Sequence, residues 1–508
     1  MIKRYFATKD NTITNAFEPD MTTRGTGSNM GQSDILEVFT IYGQASSSSG
    51  LQRETANILL QFNASQIATD KTSGAISSGS SFYLKMFNAR HSQNLPRDFS
   101  LEVLDLTESW QEGLGLNMEN YSDLTYDIRG SNWIMRSGSQ VWGSEGSPES
   151  GGASGSIIYP ASFPIGNENL EIDITSLVNQ WVDASKDNNG VVIRMSSSLA
   201  EENRSYYTKM FFGRNSHNWF ERPVLEARWD SATTDDRGAF HLSSSLVTAE
   251  DNINTIYLYN YARGRLTNIP SVNTDNKEIM VSIFSGSSDN TGPSGSALQL
   301  VVDANSVVST NDLVVTGGWV SKGIYSASFA YTGSSAIENV YDVWFSGSNS
   351  VLAASGSSMQ FSTGSIEVKR FSSLQYSYTP KYVFAVSNKN QDYYHDQVHR
   401  IRLYAREKNW SPNIYTTATT VPNSLIFNSA SYQVSRVVDN KIVIPYNTSS
   451  TQATRLSYDV SGNYFDLDCS IFEPNYQYGI KFSIYDPDTL TYEEQPFTYN
   501  LRVVKNES

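Results

Sequence analysis

Apolar residues in this chain recur mostly at every second position, in short runs separated by turn-forming clusters. Leu170, Ile172 and Ile174 alternate in this way, as a strand whose other face carries Glu171 and Asp173. The period then changes. Leu177 with Trp181 and Val178 with Val182 lie four apart, so the spacing predicts a short helix after Thr175 that presses two apolar pairs onto the open end of a sandwich. Gly190 closes the next turn, and Val191, Ile193 and Met195 return as a strand. Pro223 is tolerable at the start of the final strand, after which Leu225, Ala227 and Trp229 point one way and Glu226 and Arg228 the other.

The same alternation continues through Ile279–Ile283, Tyr325–Phe329 and Tyr341–Phe345, pauses near Phe371, and restarts at Tyr382–Val386. Turn signals at such spacing predict antiparallel sandwiches. No helix longer than about three turns is expected, and no internal repeat is evident. A chain of 508 residues accommodates about three domains of ~150 residues.

Four pieces carry a family resemblance: Lys9–Thr14 with the glycines Gly25, Gly27 and Gly31, the strand Ile58–Phe62, the Ser109-Trp110-Gln111-Glu112 element, and the run from Leu170 through Trp229. In this order they resemble the disaggregatase-related (DNRLRE-type) jelly-roll module over residues 1–230. The Ser/Gly-rich insertion from Arg136 to Ser156 departs from that pattern and reads as an exposed loop. Farther on, Phe472-Glu-Pro-Asn-Tyr-Gln-Tyr478 followed by Ile480, Phe482 and Ile484 resembles the tyrosine corner of fibronectin-III and immunoglobulin-like domains. The expected fold is all-β: an N-terminal jelly-roll sandwich (1–230) followed by two immunoglobulin-like β-sandwiches (231–375 and 376–508).

Composition narrows the function classes. A net charge of −15 repels phosphate backbones, which disfavours nucleic acid as a partner. No stretch approaches the ~20 apolar residues that span a bilayer, so membrane insertion is not expected, and residues 1–10 lack a signal-peptide core. The expected history is synthesis in a cytoplasm and release by lysis. The one cysteine, Cys469, excludes an intramolecular disulfide and reads as a buried thiol on a strand.

Candidate chemistry is sparse. Glu108 and Glu112 flank Trp110 like a glycosidase pair, but the element reads better as a strand end with a core tryptophan. Gly25-Thr-Gly27-Ser-Asn-Met-Gly31 lacks the spacing and the Lys-Ser/Thr pair of a phosphate loop. Of the histidines His91, His217, His241, His395 and His399, only the last two are close, and four residues along a strand is ~13 Å, too far for one zinc ion. That strand presents Arg400, Arg402, Tyr404 and Arg406 on one side, either a solvated face or a docking stripe for an acidic partner. No catalytic constellation and no cofactor site is read; a structural calcium at Asp10 has no loop signature behind it.

Sugar or partner contacts need exposed aromatics, and the candidates are Trp133, Trp142, Trp219, Tyr206 and Tyr207. Trp142 stands out, since its Gly/Ser loop offers no local core for the ring. Tyr257, Tyr259 and Tyr261 line one face of a strand, where cross-strand packing is the simpler reading. Taken whole, the chain resembles virion structural proteins of tailed bacteriophages, particularly marine ones. That resemblance implies a non-enzymatic component of neck, tail or baseplate, located in the virion, forming a symmetric homo-oligomer with other virion proteins as partners. The alternative is an adsorption protein that binds host surface polysaccharide.

Overall fold

A computed structural model describes residues 1–18, 20–47, 50–90, 96–116, 130–146, 157–200, 205–272, 278–286, 292–303, 308–334, 336–346, 360–371, 381–411, 414, 424–486 and 489–506. The boundary expected at 375/376 and His91 lie outside the described residues. The chain is all-β, and its sheets draw on three stretches of sequence: 2–228, 253–367 and 382–504. Among the described residues no helix is long and apolar enough to cross a membrane.

The first unit is a two-sheet antiparallel sandwich. Its small sheet runs Ile2–Phe6, Val224–Arg228, Ser81–Met86, Leu170–Asp173. The large one runs Tyr206–Phe212, Ile35–Ser47, Gly50–Gln61, Val191–Met195, Phe99–Asp105, Ile158–Phe163, with Lys9–Thr14 paired onto Gly50–Gln61. Period-two apolar positions from both meet in one core, including Leu36, Ile58, Leu84, Val103, Ile193 and Leu225. The expected helix is Thr175–Val182, burying Leu177, Val178 and Trp181 over the end of the sandwich. A second helix, Ala64–Ser73, was not expected, although its ends are legible: Asn63 accepts from the Gln66 amide as N-cap, and Gly74 closes it at φ 77°.

The second unit is one continuous nine-stranded sheet rather than two separate ones. Strand Ile324–Tyr331 carries neighbours along both of its edges, so the sheet wraps its own apolar face around Phe240, Phe329, Tyr331 and Trp344. The segment from Phe240 closes the gap between its margins: the Lys369 amide donates to Phe240 O (2.7 Å), and the Ser243 amide donates to Tyr331 O (2.9 Å).

The third unit is immunoglobulin-like. One sheet runs Tyr382–Val386, Val398–Glu407, Gly462–Asp468, Ser457–Asp459; the other runs Tyr393–Tyr394, Thr491–Val504, Gln477–Asp486, Ala430–Arg436, Ile442–Ile444. Taken in chain order these are strands A-B-E-D and A′-G-F-C-C′ of an immunoglobulin sandwich, with A′ parallel to G. The tyrosine corner is present: Tyr478 at the start of strand F donates through its hydroxyl to Glu473 O at 2.7 Å. Where antibody domains place a tryptophan against a disulfide, Tyr432 stacks on Phe465 at 4.2 Å. Cys469 is buried beside them, in a single 3-10 turn just after the strand rather than on it, and burial pushes its thiol up to about 12.

The units are joined by burial. Ile2 and Phe220 of the first unit belong to the third unit's core. The outer face of the small sheet, which carries Glu226 and Arg228 opposite the apolar positions, is therefore covered. Glu226 is fully buried there between Arg4 (2.7 Å), Arg228 (2.7 Å) and Lys85 (3.6 Å). Burial alone would raise its carboxyl, but the three cations hold it at about 2. Arg4 also donates to Val443 O (2.7 Å), and Lys441 pairs with Glu221 (2.6 Å), both across the junction. On the other side, the connector Thr233–Asp236 lies along strand Ser457–Asp459: the Tyr458 amide donates to Thr233 O, the Asp235 amide donates to Tyr458 O, and the Tyr458 hydroxyl donates to Asp236 (2.8 Å).

Glu226→Gln leaves the buried Arg4 without a carboxylate and Arg228 and Lys85 with Glu171 alone, so it should destabilise the chain by about 3–5 kcal/mol in urea unfolding at pH 7. Because the folded pKa lies below the unfolded one, the contribution is complete above about pH 4.5 and is lost as pH falls toward 2. The difference between the proteins should therefore shrink in acid.

Candidate functional site

The large sheet of the first unit has an outer face with an apolar half and a polar half. Ile13, Leu59, Leu104 and Val192 make the apolar half, and Trp110 and Trp142 roof it. Trp142 is only 3% exposed, with its Nε1 donating to Asn132 O at 2.8 Å. The expectation of a ring without a core is thus corrected. Strands Met135–Ser137 and Gln140–Val141 form a small hairpin that folds the segment back on the sheet, and the core Trp142 joins is distant in sequence. The insertion up to Gly146 is consequently a cover rather than an exposed loop; 147–156 lie outside the described residues.

Trp133 sits at the margin of this roof, half-buried. Its amide donates to Thr26 O (3.1 Å), and its carbonyl accepts from the Gly146 amide (2.9 Å). Gly146 has φ +67°, and a Cβ there would come within 2.0 Å of the indole, so only glycine lets the chain clamp the ring. Beside the ring opens a cleft of about 360 Å³, lined by Trp133, Arg53, Thr55, Asn57, Arg194 and Ser197 among others. Asn57 donates to Gly146 O (2.7 Å), and Arg194 Nε donates to Glu102 (3.1 Å). The cleft residues other than Trp133 escaped the sequence reading. Their signal was Arg53, Thr55 and Asn57 at every second position of strand Gly50–Gln61.

The remaining aromatic candidates separate. Tyr206, 69% exposed, stacks on Tyr207 at 5.2 Å on the edge strand Tyr206–Phe212, and Tyr207 pairs with Thr40, which also lines the cleft. Trp219 instead lies at the junction with the third unit, edge-on to Phe6 (5.0 Å) and His395 (6.2 Å). Tyr257 and Tyr259 stack at 6.2 Å, whereas Tyr261 belongs to a different short strand and is exposed.

The basic stripe has its acidic partners within the chain. Arg400 is bidentate to Asp466 (2.8 and 3.0 Å), Arg402 is bidentate to Asp459 (3.0 and 2.8 Å), and both guanidiniums lie over the Tyr464 ring at 4.5 and 5.0 Å. Tyr404 is half-buried in the same row, and Arg406 donates to Glu407 O and faces Trp410 at 5.8 Å. The stripe is mainly an internal strut, because the adjacent strand Gly462–Asp468 supplies Asp466 opposite Arg400 and the next strand across, Ser457–Asp459, supplies Asp459 to Arg402.

Glu108 and Glu112 are each held by a separate cation, Arg136 (3.1 Å) and Arg214 (2.7 Å). Asp10, the residue considered for calcium, accepts from the Arg214 amide, and its own amide donates to Glu112 (2.9 Å). Burial pushes its carboxyl up to about 7, with Glu112 adding to the rise and the Arg214 amide and guanidinium opposing it. Among the described residues no three His, Cys, Asp or Glu side chains gather as a metal group. His399 accepts from the Tyr394 amide, while His395 faces Trp219.

No family model matches the chain, and no curated protein matches it. Among solved structures it is similar to DIP-gamma IG1+IG2 (9% identity, 51% of this chain and 91% of that one, TM-score 0.13). It is also similar to Escherichia coli alpha-2-macroglobulin in its native conformation (8% identity, 93% of this chain and 20% of that one, TM-score 0.15). A DUF4785 family protein from Legionella pneumophila covers 99% of this chain and 91% of its own at 7% identity and TM-score 0.14. Likenesses of that size carry no assignment of function.

Two outcomes follow. Trp142→Ala should cost about 3–5 kcal/mol of first-unit stability in urea unfolding, the penalty of a truncated core indole; an unchanged midpoint would place the ring on the surface. Asp10 has a folded pKa above its unfolded one, so its contribution to stability declines as pH rises from about 4 to 7. Urea midpoints of the native protein should accordingly fall between pH 5 and 8 relative to those of Asp10→Asn.

Proposed function

We propose that this protein is a non-enzymatic structural component of a tailed-phage virion, acting in the neck, tail or baseplate through protein–protein contacts within a symmetric assembly. The observation that carries the reading is the way three β units are held together: two first-unit side chains enter the third unit's core, and the connector between the first and second units is hydrogen-bonded along the third. Such a framework fixes the positions of distant loops and sheet edges, which is what an assembly subunit needs. The sequence resemblance supplies the virion context, and the acidic, amide-rich surface fits a particle exterior.

A second reading, recognition of host surface polysaccharide, is favoured by the cleft beside Trp133. Rigid indoles and amides are the groups that hold sugar rings.

Cross-linking mass spectrometry of purified phage particles tests the first reading. The expected outcome is multiple copies per particle, cross-linked to one another and to other virion proteins. A protein absent from particles, or one that releases reducing ends from polysaccharide, would overturn it.

A further inference from the structure

Lys209 is fully buried on the edge strand Tyr206–Phe212 of the first unit, and none of the three oxygens around its Nζ belongs to a carboxylate. It donates to Gly166 O (2.8 Å), to Glu168 O (2.8 Å) and to the side-chain Oδ1 of Asn88 (2.5 Å). The rings of Phe163 and Phe211, with centroids 5.1 and 5.2 Å from Nζ, are the apolar walls of the site. An ammonium in such a place has given up its hydration without gaining a contacting countercharge, which favours the neutral amine. The rings attract a cation and Glu168 acts in the same sense, yet burial prevails and brings the amine down to about 8. A usable share of neutral, nucleophilic amine is therefore present near neutral pH.

Both partners are fixed through their backbones. Asn88 follows the small-sheet strand Ser81–Met86 and forms a bridge with Phe211. On either side of it the Ala89 amide donates to Met210 O, and the Phe212 amide donates to Phe87 O, both at 3.0 Å. Gly166 O and Glu168 O come from one turn, which the Glu168 carboxylate stiffens by accepting from the Ile165 and Gly166 amides at 2.7 Å.

This geometry decides which way the amine reacts. A deprotonated Nζ keeps two hydrogens, and with the two backbone carbonyls holding them its lone pair faces Asn88. A carbonyl bond is about 1.2 Å long, so with Oδ1 at 2.5 Å the Asn88 Cγ lies within about 3.7 Å of Nζ. That is close to the separation of groups poised to react, and a turn of the Asn88 amide about its Cβ–Cγ bond brings the carbon to the lone pair.

We infer that Lys209 and Asn88 become joined by an isopeptide bond. The Nζ–Cγ bond forms as Cγ–Nδ2 breaks. One of the two amine hydrogens stays on the new amide, and the other goes to the departing nitrogen, which leaves as ammonia. No oxidant, metal or co-reactant is consumed. The product replaces a buried ionisable group with a neutral amide, whose one N–H keeps a backbone carbonyl as its acceptor. The bond ties the edge strand of the large sheet to the segment leaving the small one, and it depends on neither functional reading above.

Mass spectrometry of the full chain, purified, kept folded until its mass is constant and then denatured, tests the cross-link. The expected mass is lower than the sequence requires by one ammonia, and protease digestion should release a branched peptide joining Lys209 to Asn88. Lys209→Arg and Asn88→Ala should each show their full sequence mass. Ring closure of Asn189 onto Gly190 also loses ammonia, but it leaves Lys209 in an ordinary peptide and persists in both variants; a loss of that kind alone would overturn the inference. Recovery of Lys209 and Asn88 in separate, unaltered peptides from a chain of full mass would overturn it as well. The native protein alone separates these outcomes, whether or not the variants fold.

Discussion

The arrangement of the molecule depends on covering one sheet face. The small sheet of the first unit turns Ile2, Arg4, Lys85, Glu226 and Arg228 away from its own core, and an isolated sandwich would leave these residues in water. Here the third unit lies over them: Ile2 enters its core, and Arg4 reaches its backbone at Val443. A fully buried carboxylate survives in that place because three cations surround it. The apolar contacts supply the attraction, and the polar contacts that cross the junction, Arg4 to Val443 O and Lys441 to Glu221, fix how the two units sit.

From that junction the order of units in space departs from their order in sequence. The third unit contacts both of the others. It meets the first through Phe220 and Ile2, and it meets the connector to the second through Tyr458. The arginine row on strand Val398–Glu407, closed against Asp459, Asp466 and Tyr464, stiffens the sheet that carries this second contact. The closure of the second unit's sheet by the segment from Phe240 works in the same direction, because it ties the residues just after the connector into that unit's frame.

Much of the fold was legible because period-two alternation reports directly on which side of a strand is buried. Leu170–Asp173, Val191–Met195, Tyr382–Val386 and the helix after Thr175 all appear where spacing places them. So does Tyr478, whose corner depends on a local sequence. Local patterns say nothing of what covers a face, and there the reading failed. Glu226 looks like a solvent-facing residue from its own strand, and Trp142 looks coreless from its own loop. The candidate site divides along the same line. Trp133 was visible only as one of several aromatic candidates, and Arg194 and Asn57 become its neighbours only through the pairing of strands far apart in sequence. Asp459 and Asp466 likewise meet the arginine row only across a sheet.

Small-angle X-ray scattering of the full chain, compared with that of Phe220→Asp, tests the single-body account most directly. The account predicts that the native curve is fitted by the one arrangement described, and that the substituted protein keeps its strand content while its radius of gyration grows as the first and third units part. A native curve that requires freely jointed units, or one that Phe220→Asp leaves unchanged, would contradict it.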